Sequence, residues 1–573
     1  MLGKDELQRS PGVNLDDRLR LVPGFSLFRR SSSLVANPTT QGVSLRGLGS
    51  TGASRTLVLW DGVPLNDPFG GWVYWTRIAP EEIERTEVAR GATTSVFGDR
   101  AMGGSVGLFS RPVDTRRFSA SYEGGNRNTH QAAISGVQTL GRWSLSGQGR
   151  AFSTDGYFIV PDSTRGKVDT EANVRFVSGS VRADYRSLFL RADVLAEERA
   201  NGTQVQQNST SLGAISAHYA HENLSALVFH SREQFHSSFS AISADRNTER
   251  LTMLQTVPAE ATGGAAFWNW KSLIVGGDAV RTEGYSHEQS FPSGYREPGG
   301  VQNQGGIFAQ ANHALGPVRF IGGLRHQWAG GGNRAWMPSG GLRWRQFRAS
   351  AYRGFRAPTL NELYREFRVG NVVTQANAAL RPEILRGVEA GWDGRFERLR
   401  ISATAFYSSL DDLITNVTLR TTPTLITRQR QNAAAATVRG GEAEITYSRG
   451  PWSGQLSYLF SDARYATGLR IPQVPRHQGA AQLGWAWRKL TLSGGLRTLS
   501  AQFEDDLNTF LLPGFAVVHL SAHQPIARGV TAFAAFENLL DRQFVVGYSP
   551  TPLIGAPRLW RAGLRWERAP RRP

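Results

Sequence analysis

The sequence predicts a closed, membrane-spanning β-barrel of about 22 antiparallel strands, preceded by a smaller α+β domain that sits in its lumen. Three observations predict it. From about residue 118 onward, short segments alternate apolar and polar residues with a period of two. The chain is polar on average yet holds 63 Gly, 15 Trp, 14 Tyr and 29 Phe, a mixture that suits many strands joined by tight turns. No stretch approaches the roughly 18 apolar residues that a membrane helix requires; the longest candidate, residues 510–520, contains Pro513 and His519.

Taken in order, residues 1–112 mix helix and strand signals and form the first domain. Residues 16–21 read as a short amphipathic helix stopped by Pro23-Gly24. Residues 42–46 and 56–60 read as strands, the second ending in the turn Asp61-Gly62. Residues 113–573 form the barrel. Trp143, Leu145, Gly147, Gly149 and Ala151 share one strand face, while Ser144, Ser146, Gln148 and Arg150 share the other, which reads as lipid outside and water inside. The pattern recurs at 399–407, 490–497 and 560–566. A soluble sandwich alternates in the same way, so the number of strands has to decide. Removing 112 residues from 573 leaves 461, and at roughly 20 per strand with its share of turn this gives about 22 strands, a barrel whose lumen must be filled.

Composition and motifs exclude other classes. With no cysteine, neither disulfides nor thiolate metal sites contribute. The formal charge of +18 comes from Arg scattered singly along strand-like segments, unlike the clustered cations of a nucleic-acid surface; lumen and loop charges facing water or lipopolysaccharide phosphates account for it. Gly47-Leu-Gly49-Ser-Thr-Gly52 matches a dinucleotide fingerprint, but a second strand follows it where a helix should begin, so it reads as a turn. His218, His221, His230 and His236 lack metal-ligand spacing, and Asp411-Asp412 and Asp505-Asp506 read as solvated turns. Nothing points to catalysis, a cofactor or a metal centre. Residues 1–10 lack the basic and apolar regions of a signal peptide, so the chain is expected to start late.

The strings LRLVPGF (19–25), SLRGLG (44–49), TLVLWDGVPLND (56–67) and IERTEVARGATTSVFGDRAMGGSVGL (83–108) resemble, in order and spacing, the plug of TonB-dependent outer-membrane receptors. YRGFRAPTLNELY (352–364), LRPEILRGVEAGW (380–392), ATAFYSSLDDLI (403–414), VRGGEAEI (438–445) and FENLLDRQF (536–544) resemble the barrel of the same family. The resemblance implies a monomer in the outer membrane, among its lipid and lipopolysaccharide. It would import a ferric siderophore or a corrinoid such as cobalamin, energised by TonB and its inner-membrane complex through a box expected upstream of Met1. A binding or signalling receptor, an importer of sugars, peptides or other metal chelates, and a passive porin are the alternatives. The family pattern also implies a latch in which Arg46 and Arg90 of the plug face Glu389 and Glu442 on neighbouring barrel strands. Ligand contacts are expected from Ser50, Thr51 and Ser54 and from the aromatic loop with Phe69, Trp72, Tyr74 and Trp75; packing of these rings against the wall is the equal alternative. Residues 155–173 and 286–304 are expected to be extracellular loops.

Overall fold

Alternation becomes a wall in the computed structural model, which describes residues 2–49, 52–91, 93–292, 294–369, 371–432, 435–548 and 551–568. In the strand Leu188–Ala200, Leu188, Leu190, Val194 and Ala196 are exposed, while Arg191, Asp193, Leu195, Glu197 and Arg199 are buried. The exposed set faces lipid and the buried charges face the lumen. Twenty-two such antiparallel strands close into a barrel. The last, Leu559–Arg568, pairs with the first, Arg117–Gly125, with Leu564 opposite Tyr122. Closure leaves no sheet edge for lipid to meet. With both ends of the wall at one mouth, 22 strands leave ten short turns there, the turn mouth, and eleven loops at the other, the loop mouth.

The plug domain fills the lumen with a five-stranded sheet. Gly104–Ser110 lies at its centre, antiparallel to Ile83–Arg90 and parallel to Leu57–Trp60. Asp61 and Gly62 both take positive φ, the two-residue turn expected from the sequence. Val58, Trp60, Ile83, Val106 and Leu108 form a core with Leu15 and Leu19, which are four apart on one face of the helix Leu15–Leu19. That helix starts one residue earlier and ends two earlier than expected, because the amides of Val22 and Phe25 bond back to Leu19 and Val22 in successive turns. Only Val43–Ser44 of the expected strand 42–46 pairs, against Ser26–Leu27. Arg46 adopts φ 54°, which ends the extended run and swings its side chain to the wall.

Two loops carry structure that the sequence pattern did not suggest. Phe367–Val369, Val372–Gln375, Ile414–Thr421 and Ile426–Asn432 form a four-stranded sheet across the loop mouth, with the second strand parallel to the fourth. Residues 159–170 form a loop as expected, while the ends of 155–173 and about half of 286–304 extend the wall as the strands Trp143–Phe158, Glu171–Tyr185, His287–Ser290 and Gly299–Leu315.

Candidate functional site: plug, wall and vestibule

Arg46 is buried against the wall, where its guanidinium bonds both oxygens of Glu442 at 2.7 and 3.2 Å and pairs with Glu389. Its cation also lies 4.8 Å over the Phe406 ring. Burial works against this charge, but the hydrogen bonds and charge of Glu442, joined by Glu389, hold Arg46 well above its ordinary pKa. Arg90 reaches Glu442 at 3.2 Å and Glu444 at 3.3 Å. The geometry differs from the expected one in two ways. Glu389 and Glu442 sit on next-but-one strands, with Leu399–Asp411 between them. Arg90 pairs with Glu444 rather than Glu389; Glu444 lies two residues past Glu442 on the same strand face, a signal that the alternation held.

A second network was not foreseen. Arg55 of the plug donates to Glu383 at 2.6 Å and to the Ile414 carbonyl at 2.7 Å. Glu383 also accepts from Arg356 and from the Ile414 amide. Arg356 bonds both oxygens of Glu362 at 2.9 and 3.0 Å. Glu362 stands in the loop helix Leu360–Tyr364, capped by Thr359. Burial alone would raise its pKa, but Arg356 and the cap bring Glu362 to about 2. One chain of alternating charges thus joins plug, wall and both long loops. Elsewhere, wall arginines donate into plug backbone: Arg199 to the Ser33 carbonyl at 2.7 Å, and Arg150 to the Val13 carbonyl at 3.0 Å.

Ser50 and Thr51 lie outside the described residues. Ser54 accepts a hydrogen bond from the Val43 amide at 2.9 Å and is buried, so it ties plug segments together. Phe69, Trp72, Tyr74 and Trp75 are all at most 3% exposed. Trp72 meets Phe235 of the wall with ring centroids 6.3 Å apart. A Cβ on Gly284 would come within 2.7 Å of the Phe69 ring, so the wall carries glycine where that ring enters. In this conformation the aromatic loop packs on the wall, and its rings offer no surface to a ligand.

Surface for a ligand lies at another plug loop. A vestibule of about 80 Å³ is lined by Arg29, Ser31 and Asn37 of the plug, Tyr157 of the wall, Gln206 of the loop before the strand Gln207–His221, and Arg368 of the loop sheet. Arg29 pairs with Glu504 at 3.5 Å, and Arg30 donates to the Pro513 carbonyl at 3.0 Å. Nε of Arg29, and Nε and Nη2 of Arg30, are buried without partners, and burial lowers Arg30 to about 10. Arg29 lines the vestibule and Arg30 the cavity next to it, and unused guanidinium donors in each suit an anion. The signal was the Arg29-Arg30 pair itself, hidden among evenly scattered arginines. Ser31 also lines a second void of about 80 Å³ between plug and wall. Arg9 and Gln482 line both that void and a third, of about 590 Å³, that adjoins the turn mouth at Arg398 and Ser448.

The model of the TonB-dependent receptor plug domain matches residues 1–105, and that of the TonB-dependent receptor-like β-barrel matches residues 108–539. The ferric enterobactin receptor PirA of Pseudomonas aeruginosa is 32% identical over 157 residues, a match covering 25% of this chain and 20% of that protein. The match thus spans about a fifth of that relative's length. Among solved structures, the siderophore receptor PirA from Acinetobacter baumannii superposes with a TM-score of 0.78 at 14% identity, covering 99% of this chain and 98% of that one. The copper transporter OprC gives 0.79 at 17% identity, covering 97% and 96%. At these identities the structural likeness concerns the fold alone.

Proposed function

The chain belongs to the TonB-dependent receptor family of the outer membrane, and from that premise we propose that it imports an anionic ferric siderophore, with energy delivered through TonB. The observation that carries this reading is the pair of guanidinium groups, Arg29 of the plug and Arg368 of the loop sheet, that line the vestibule, with Arg30 lining the next cavity inward and donors of Arg29 and Arg30 unused. Ferric siderophores of the catecholate and carboxylate classes present several anionic oxygens around the metal, which matches such donors. A corrinoid, whose rim carries neutral amides, gains less from them.

The plug blocks the lumen, so passage needs work on the plug. Under this reading Arg46 and Arg90 form the latch on Glu389, Glu442 and Glu444 that the work must open. The three voids, which meet at Ser31, Arg9 and Gln482, trace the route we assign to the ligand. Calorimetry on the detergent-folded protein tests the substrate, with ferric catecholate, carboxylate and hydroxamate siderophores and cobalamin as titrants. Tight binding of an anionic ferric chelate, weakened at least about tenfold in Arg29→Ala/Arg30→Ala, supports the reading, since each charge-assisted hydrogen bond contributes about 1.5–3 kcal/mol. Tight binding of cobalamin, or an unchanged double variant, overturns it.

A further inference from the structure

We propose that the rim of the turn mouth is a binding surface for anionic phospholipid headgroups of the leaflet that meets it. The ten turns at this mouth hold eight basic side chains and two acidic ones, Glu222 and Glu397. Seven of the basic residues, Arg142, Arg186, Lys271, Arg345, Arg488, Lys489 and Arg528, are exposed and form no ion pair with an acidic side chain among the described residues. At the loop mouth four cations have acidic partners: Arg246 pairs with Asp169, Arg296 with Glu288, Arg381 with Asp412, and Arg386, at the top of its strand, with Asp411; Lys167, Arg334, Arg420, Arg542 and Arg558 are exposed there without one among the described residues. What sets the turn mouth apart is that its cations stand in tight turns directly beside a ring of strand-end aromatics.

Position and orientation are fixed by the aromatic belt. Trp143 and Tyr185 lie 4.7 Å apart, Trp485 and Trp487 5.9 Å, Trp344 and Phe347 5.9 Å, and Trp268 and Trp270 6.2 Å, all at the strand ends of this mouth. Such belts settle where acyl chains give way to headgroups. Four cations sit over rings of the belt: Arg186 over Tyr185 at 5.4 Å, Lys271 over Trp270 at 5.7 Å, Arg345 over Trp344 at 5.5 Å and Arg488 over Trp487 at 4.9 Å. The ring holds each charge at headgroup depth, where a lipid phosphodiester supplies the missing anion.

Backbone conformation argues in the same direction. Arg186, Lys271, Arg345 and Arg488 have φ of 52°, 52°, 51° and 52°, at a turn position that favours Gly or Asn. Three other turns of this mouth place Gly141, Gly316 and Gly450 there. Long cationic side chains thus stand where the local conformation favours residues that cannot reach a headgroup.

The test reconstitutes the full chain in nanodiscs holding equal phosphatidylglycerol and phosphatidylcholine, and reads the lipids retained on release by native mass spectrometry. A charge near an anionic surface changes partitioning by about fivefold, so wild type should retain phosphatidylglycerol over phosphatidylcholine by at least about tenfold. Arg186→Gln/Lys271→Gln/Arg345→Gln/Arg488→Gln should bring the ratio to about two or less, and Arg186→Lys/Arg345→Lys/Arg488→Lys should keep it. Heat-modifiable electrophoretic mobility reports that each barrel is closed; if the quadruple variant fails to fold, single Lys271→Gln and Arg488→Gln variants carry the comparison, each expected to lower the ratio. Equal retention of the two lipids, or variants with the wild-type ratio, overturns the proposal. So does sedimentation with cell-wall sacculi that the substitutions abolish while the lipid ratio stays unchanged, which would assign the rim to that polymer.

Discussion

Removing the Glu383 carboxylate should free the plug while leaving the barrel closed. Glu383 is fully buried, and it is the only acidic partner of Arg55 among the described residues, at 2.6 Å. In Glu383→Ala, Arg356 keeps Glu362, but Arg55 becomes a buried cation without a counter-charge and the Ile414 amide loses its acceptor at 2.7 Å. Breaking a buried pair in this way costs about 3–5 kcal/mol, which at about 1.4 kcal/mol per decade raises the population of plug-released molecules roughly 100- to 4,000-fold. Hydrogen exchange followed by mass spectrometry reads this directly. Peptides covering Leu57–Trp60 and Gly104–Ser110 should lose protection by that factor, and barrel peptides such as Leu188–Ala200 should not change. An Arg55→Ala/Glu383→Ala double variant should recover much of the loss, because the orphaned charge is gone. Plug protection within twofold of wild type in Glu383→Ala would refute the reasoning; equal loss in plug and barrel would show that the network supports the whole wall.

Further outcomes follow from the same geometry. Glu442→Gln keeps the shape of the latch but removes the charge shared by Arg46 and Arg90, and should lower plug protection by about 2 kcal/mol, measured by the same exchange experiment. Trp72→Ala removes a ring that is 0% exposed and should destabilise the plug by about 3–5 kcal/mol, while calorimetric affinity for the ligand stays within about twofold; a large loss of affinity with intact plug protection would restore the ring to the ligand site. Burial, assisted by the charge of Asp17, raises Asp16 from an ordinary 3.8 to about 7. The folded plug therefore holds a proton that the released one gives up, so the contribution of Asp16 to plug stability is greatest below pH 4 and falls as pH rises to 7, by up to about 4 kcal/mol. Plug exchange at pH 5 and pH 8, corrected for intrinsic rates, should show this slope in wild type and not in Asp16→Asn.

The barrel was legible because alternation is a local property: Trp143, Leu145 and Arg150 declare their faces without reference to any distant residue. The latch partners Arg46 and Glu442 are 396 residues apart, and only the order of motifs brought them together. Nothing local marks Arg55 for Glu383 or Arg356 for Glu362, since a buried Arg and a solvated one are the same letter in a chain with many of them. The rings at Phe69, Trp72, Tyr74 and Trp75 were undecidable for a related reason: an aromatic residue suits a wall contact as well as a ligand, and the wall's answer, a glycine at 284, lies in another part of the chain. The loop sheet escaped because its parallel ladder, Val372 to Ile426 through Gln375 to Gln429, has no turn between its strands to announce it.

That ladder has a kinetic consequence. Since the strand of one loop is hydrogen-bonded to the strand of the next, neither can lift alone without breaking that ladder, so any opening of the cover over the vestibule would carry both loops as one board. Capture of a ligand then resembles waiting for a door rather than threading a mesh: at low concentration the observed rate rises with ligand, and at high concentration it levels at the board's own opening frequency, the same plateau for every ligand that fits beneath it.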